Sequence, residues 1–142
     1  MEKPDKIIIE FLKKHHVLTL ATSIDNQPWC CNCFYAFLKD EMTLVFTSDE
    51  KTKHIQNSLQ NSKVAGSVVL ESSVVGKIQG IQLTGTLKES QGELATKVNL
   101  AYLKRFPFAV LANTKLWVFS IETAKMTDNR LGFGKKILWH RS

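Results

Sequence analysis

The chain reads as mainly β with helical additions, an α+β protein built on an antiparallel barrel of six strands with flanking helices. Three observations lead there. Six runs of β-favouring residues are separated by short turns or by single helical segments. The first three runs follow one another too closely for the crossover that a parallel pair requires. In the later runs apolar residues recur at every second position, the period of a half-buried strand. No internal repeat, low-complexity tract or linker interrupts the 142 residues, a length that suits one domain spanning 1–142.

Taken in order, Pro4 and Asp5 open a helix whose Ile7, Ile8, Phe11 and Leu12 share one face. Val17 to Thr22 is the first strand, Asp25-Asn26-Gln27-Pro28 a turn, and Trp29 to Leu38 the second strand. Lys39-Asp40-Glu41 turns the chain into a third strand, Met42 to Thr47, so that the three form a meander. A helix from about Lys51 to Asn61 is expected to bury Ile55 and Leu59, which lie one turn apart. Val64 to Leu70 is the fourth strand, and a Ser72-Ser73 loop follows it. Lys77 to Glu89 is the fifth, with Ile81, Leu83 and Leu87 on one face and Gln82, Thr84 and Thr86 on the other. Gly80 and Gly85 mark bends or close backbone approach within it. Gln91 to Lys104 is helical and ends at Phe106-Pro107. Lys115 to Met126 is the sixth strand, with Trp117, Phe119 and Ile121 inward. The tail then turns through Gly132 and Gly134 before Ile137-Leu138-Trp139.

Composition narrows the function classes. Apolar residues make up 44% of the chain, which fits a folded protein. No apolar run approaches the ~18 residues of a membrane span, and the N-terminus lacks the apolar core and cleavage site of a signal peptide. A soluble cytoplasmic protein is expected. The formal net charge of +6 raises nucleic acid as a partner. The lysines are scattered, however, and no RNA-binding aromatic motif is present. The surplus concentrates in the tail, at Lys125, Arg130, Lys135, Lys136 and Arg141 against Asp128. An anionic small ligand accounts for it, and nucleic acid is disfavoured.

The three cysteines, Cys30, Cys31 and Cys33, are odd in number and closely spaced, which is no disulfide framework. The four histidines supply no second ligand pair at zinc-site spacing. Reduced structural thiols and no metal are expected. In a strand, Cys31 and Cys33 share one face, and Cys30 shares the other with Asn32.

The segment LVFTSDEKTKHIQN, Leu44 to Asn57, carries the strongest chemical signal. An apolar strand ends at two hydroxyls, Thr47 and Ser48, and a helix with Lys51, Lys53 and His54 in its first turns follows. Hydroxyls, helix N-terminal amides and lysines together suit a phosphate. Thr47-x-x-Glu50 is equally the pattern of an ordinary capping box.

Across essentially its whole length the chain resembles the FMN-binding split barrels related to pyridoxamine 5′-phosphate oxidase, and within them the small YhbP-type bacterial proteins. The resemblance rests on HVLTLAT, CNCFYAF, FTSDEKTKHIQN, VAGSV, IQGIQLTGTL, the RFP break and the tail TDNRLGFGKKILWHR, in that order and spacing. It implies a split barrel and a homodimer with FMN in two clefts between subunits. Thr47 and Ser48 match the strand-end positions that hold the flavin phosphate, and Lys53 matches the phosphate lysine. Thr52 stands where those oxidases have arginine, and Lys51 is placed to supply the missing charge. The second strand would line the isoalloxazine, with Cys30, Cys31 and Asn32 nearby. Gly80 falls where the oxidases use a flavin-binding glutamine, and Gln82 on the same face is the substitute. Arg130 is implied as an anion contact and Trp139 as a ring-stacking residue from the tail. The oxidases' C-terminal Arg-x-His is missing, since Leu131 and Gly132 follow Arg130. Vitamin B6 oxidation itself is therefore not expected.

A flavin brings its own hydride and electron chemistry and leaves binding and tuning to the protein. The expected function is an FMN-binding oxidoreductase acting on a small molecule in a dimer cleft. The alternatives are a haem-binding split barrel, with His15, His16, His54 or His140 as weak ligands, and a flavin-binding module without turnover.

Overall fold

The computed structural model describes residues 2–108 and 115–142. Its elements in chain order are α1 (Lys6–Lys14), β1 (Val17–Ile24), β2 (Gln27–Phe34), β3 (Ala36–Leu38), β4 (Thr43–Ser48), α2 (Lys53–Gln60), β5 (Lys63–Leu70), β6 (Gln79–Glu89), α3 (Glu93–Arg105), β7 (Lys115–Asp128) and β8 (Lys136–His140). Asp5 caps α1, its carboxylate accepting from the Ile7 amide at 2.8 Å. Asp25 and Asn26 adopt positive φ, the conformation a two-residue hairpin turn demands, and join β1 to β2.

The strands form one antiparallel sheet of eight in the order β2-β1-β5-β6-β7-β4-β3, with β8 added alongside β7. Six strands were expected, and two features account for the difference. The run from Trp29 to Leu38 breaks at Tyr35 into β2 and β3, and the tail forms β8. The expected three-strand meander is corrected as well. The chain makes two hairpins, β1–β2 and β3–β4, which lie at opposite ends of the sheet. A single residue, Tyr35, joins those ends, so the sheet curls toward closure around it. Tyr35 is fully buried, its backbone amide donates to His16 O at 2.9 Å, and its hydroxyl donates to Leu12 O at 2.8 Å.

The core fills the curl. Ile8 and Leu12 of α1, Leu18 and Leu20 of β1, Leu44 and Phe46 of β4, and Trp117, Phe119 and Ile121 of β7 are all buried. Each large side chain contributes on the order of 1.5–3 kcal/mol of burial free energy. In α2 the buried residues are Ile55, Asn57 and Ser58, whereas Leu59 is 56% exposed, against expectation. The helix is turned by a polar contact, because Asn57 Nδ2 donates to Thr22 Oγ1 of β1 at 3.1 Å.

The two glycines singled out in β6 behave differently. Between Thr84 and Gly85 the pairing with β7 slips: Thr84 faces Thr123 and Gly85 faces Ile121, so Glu122 is left over as a bulge. A Cβ at Gly85 would stand 2.0 Å from Ser120 O, whereas one at Gly80 would meet Val68 O at an ordinary 3.6 Å. Gly85→Ala should therefore cost at least about 2 kcal/mol in denaturant unfolding, with Gly80→Ala within about 1 kcal/mol of the parent. Equal effects at the two positions would show that the bulge imposes no close approach.

Candidate functional site

The site lies where β4 ends, α2 begins and β2 runs past both. Thr47 and Ser48 are the last residues of β4, and Trp117 fixes the strand end by donating its indole N–H to Ser48 O at 3.0 Å. Asp49, Glu50 and Lys51 form the turn. The Lys51 amide donates to Asp49 Oδ1 at 2.8 Å, and the Thr52 hydroxyl donates to Asp49 O at 2.7 Å. The capping box does not form. Thr52 is the N-cap of α2, no side chain satisfies the helix's first amides, and Thr47 Oγ1 lies 3.3 Å from Tyr102 of α3. The α2 amides thus remain available to a ligand.

Charge in the turn is partitioned favourably for an anion. The Glu50 carboxylate pairs with Lys115 Nζ at 3.0 Å. Lys51 and Lys53 are exposed, and Lys53 Nζ sits 4.3 Å from the ring centroid of Trp29 on β2, a cation–π contact. His54 Nε2 lies 2.6 Å from Ser48 Oγ and 3.4 Å from Thr52 Oγ1. Ser48, Thr52 and His54 therefore converge in one place, with Lys53 at the adjoining start of α2 and Thr47 and Lys51 next to them in the chain.

Strand β2 divides its residues as alternation requires. Cys31 and Cys33 take one face and Cys30 and Asn32 the other. Cys33 is buried, Cys31 half-buried and Cys30 exposed. The Cys31 and Cys33 sulfurs are 3.8 Å apart. Hydrogen bonding from Cys33, helped by His54, holds the Cys31 thiol well below the ordinary thiol range. The same bond, together with burial, pushes Cys33 above it. Cys31 Sγ, Cys33 Sγ and an imidazole nitrogen of His54 all lie within 4.8 Å of one another. Sequence reasoning missed this grouping because it sought a second ligand pair at fixed spacing, whereas the third group comes singly from a separate helix. The lone His54, already present in the phosphate segment, was the available signal.

Other sequence-derived candidates lie elsewhere. Asn32, Thr19, Ser67, Gln82 and Lys125 are successive partners across five strands, a polar row on the outer face of the sheet. Gln82 and Gly80 line an open groove there with Ser67, Lys125 and Lys136. Cys30, Asn32 and Gln82 are thus on the sheet face opposite Cys31. Arg130, expected as an anion contact, is paired within the chain: its guanidinium binds the buried Asp128 through Nε at 3.0 Å and Nη2 at 2.7 Å. That pairing holds the Asp128 carboxyl below the usual carboxylate range. Trp139, expected to stack on a ligand, is corrected. It is 3% exposed and donates its indole N–H to Glu2 O at 2.9 Å, because β8 pairs with β7 and turns the ring into the core. No described helix is long and apolar enough to cross a membrane.

Among solved structures, the fold is similar to that of a heme binding protein from Mycobacterium smegmatis, with a TM-score of 0.78 at 17% identity. That likeness covers 99% of this chain, which spans 60% of the length of the mycobacterial one. It is also similar to a FAD-binding protein from Mesorhizobium loti, with a TM-score of 0.70 at 17% identity over 86% of this chain and 93% of that one. These likenesses show the fold, a split barrel. No family model matches the chain. In sequence it is 38% identical to a UPF0306 protein of Photorhabdus laumondii over 136 residues, 96% of this chain and 95% of that one. With identity at that level along nearly the whole of both proteins, the chain belongs to the UPF0306 protein family.

Proposed function

We propose that this protein binds FMN and serves as a flavin-dependent oxidoreductase for a small molecule, as a YhbP-type split barrel. The observation that carries the proposal is the meeting of the Ser48 and Thr52 hydroxyls at the uncapped start of α2, whose first residue is Lys53, with Glu50 drawn away by Lys115. Two hydroxyls, free amides and the Lys53 ammonium, with Lys51 two residues before it, match the donors a phosphate monoester accepts from. Trp29 and Cys31 on β2 border the same place and would flank the flavin. When bound, the flavin supplies the redox chemistry, and the chain's part is to anchor and shield it. The flavin fold neighbour from Mesorhizobium is in keeping with this reading.

A homodimer belongs to the proposal. Trp29 and Phe34 of the edge strand β2 are 44% and 62% exposed, and Phe133 in the tail loop is 87% exposed. Apolar side chains so placed suit a partner's surface. The free thiols suit a reducing compartment, and we place the protein in the cytoplasm. Haem binding is the second reading, favoured by the Mycobacterium smegmatis neighbour.

Three outcomes are expected. The purified protein, mixed with FMN and desalted, retains flavin absorbance. A Soret band on hemin addition without flavin uptake would select the haem reading instead. Lys53→Ala weakens FMN binding by roughly 1.5–3 kcal/mol, the worth of a charge-assisted hydrogen bond, measured by fluorescence titration. Unchanged affinity would make Lys53 only Trp29's partner. Sedimentation equilibrium gives twice the chain mass at micromolar concentration, and a monomer there would remove the inter-subunit cleft.

A further inference from the structure

Cys33 and His54 have no part in the flavin proposal, yet the fold brings them together with Cys31 from two separate elements. We propose that Cys31, Cys33 and His54 form a binding site for a thiophilic divalent cation of the zinc class, with two sulfur ligands, one nitrogen ligand and a fourth position left open.

Geometry supports the assignment. Zinc–thiolate bonds of about 2.3 Å in a tetrahedral site put two sulfurs about 3.8 Å apart. The Cys31 and Cys33 sulfurs stand 3.8 Å apart. The same geometry asks for a sulfur-to-nitrogen edge of about 3.6 Å, and the three ligand atoms lie within 4.8 Å of one another. Side-chain rotation of about an ångström closes that difference. A disulfide fits the pair less well. Alternate residues of a strand have Cα atoms about 6.6–6.8 Å apart, the upper end of what a disulfide spans, and the bond would need the sulfurs at about 2.05 Å.

The ligand set and its setting select the ion. Two thiolates and an imidazole suit zinc and disfavour magnesium and calcium, which take oxygen ligands. Among the described residues no fourth His, Cys, Asp or Glu joins the cluster. Three protein ligands and an open position are the pattern of zinc sites that bind an exchangeable water or substrate atom. Ser48 Oγ, 2.6 Å from His54 Nε2, holds the imidazole as outer-shell groups hold metal ligands. Lys53, the residue before His54, is engaged by the Trp29 ring at 4.3 Å. Bound as ligands, both cysteines are thiolates, two negative charges against one divalent cation. The cluster is then neutral overall, which a buried Cys33 tolerates.

The test uses the full chain, reduced, stripped of metal with a chelator and kept free of flavin, so it is independent of the flavin proposal. Co²⁺ is titrated as a spectroscopic probe, followed by Zn²⁺. The expected result is a thiolate-to-cobalt charge-transfer band that saturates near about one equivalent and is bleached by Zn²⁺. Cys30→Ser, on the opposite face of β2, should bind like the parent. Cys31→Ser and His54→Ala should each bind at least about tenfold more weakly while keeping the parent's circular dichroism. Failure of the parent to develop the band at several equivalents of Co²⁺ overturns the proposal. So does a band that survives Cys31→Ser, or one that Cys30→Ser removes equally.

Discussion

The structure depends on one backbone constraint, the passage of the chain through Tyr35. β2 pairs with β1 at one end of the strand order, and β3 pairs with β4 at the other. One residue cannot span an open sheet of that width, so the sheet must bend until its ends meet. Tyr35 is held at this corner from several directions. Its amide and hydroxyl are bonded to His16 O and Leu12 O, and the Arg105 guanidinium lies 5.5 Å from its ring. Arg105 also donates to His15 O, tying the end of α3 to the link between α1 and β1. Burial pushes the Tyr35 phenol above its ordinary pKa, so it remains a hydrogen-bond donor across the working pH range.

Closure at Tyr35 generates the site. Once β2 and β3 are continuous and β4 returns antiparallel to β3, the far end of β4 delivers Ser48 alongside β2. The turn after Ser48 has little freedom. Asp49 binds the Lys51 amide, and Gln56 Nε2 donates to Glu50 O at 2.7 Å. α2 must start at Lys53, where its first residues face Trp29 and the two inward cysteines. The placement of His54 is thus a consequence of strand topology. Nothing in the local spacing of cysteines and histidines encodes it.

This separates what was legible in the chain from what was not. Alternation exposed the strands and their inward faces, as in Ile81, Leu83 and Leu87, because a one-residue slip would turn them to water. Gly85 could be read as a bend because a strand interior otherwise gains nothing from glycine. The break at Tyr35 was hidden, since Trp29 to Leu38 continues apolar and β-favouring through the corner. Strand pairing was hidden for the same reason, a local pattern being silent about which edge a strand joins. Trp139 and Leu59 were misplaced because each orientation is set by a partner distant in sequence: β7 for the tail strand, and Thr22 for the helix through Asn57. The pairing of Arg130 with Asp128 was hidden because composition shows the two charges in the tail and not that the fold buries Asp128 beneath the guanidinium.

The two proposed sites adjoin through the Ser48–His54 contact, and their charges bear on each other. Two thiolates without a cation would place negative charge beside the turn and weaken its hold on a phosphate, since like charges this close repel through a poorly screened interior. A divalent cation on the sulfurs cancels that charge. It would also restrain the His54 ring and, through it, the Ser48 hydroxyl bonded to that ring. The turn's own acids are already engaged, Glu50 by Lys115 and Asp49 by the backbone. With those acids engaged, an occupied metal site would leave no uncompensated negative charge beside the start of α2.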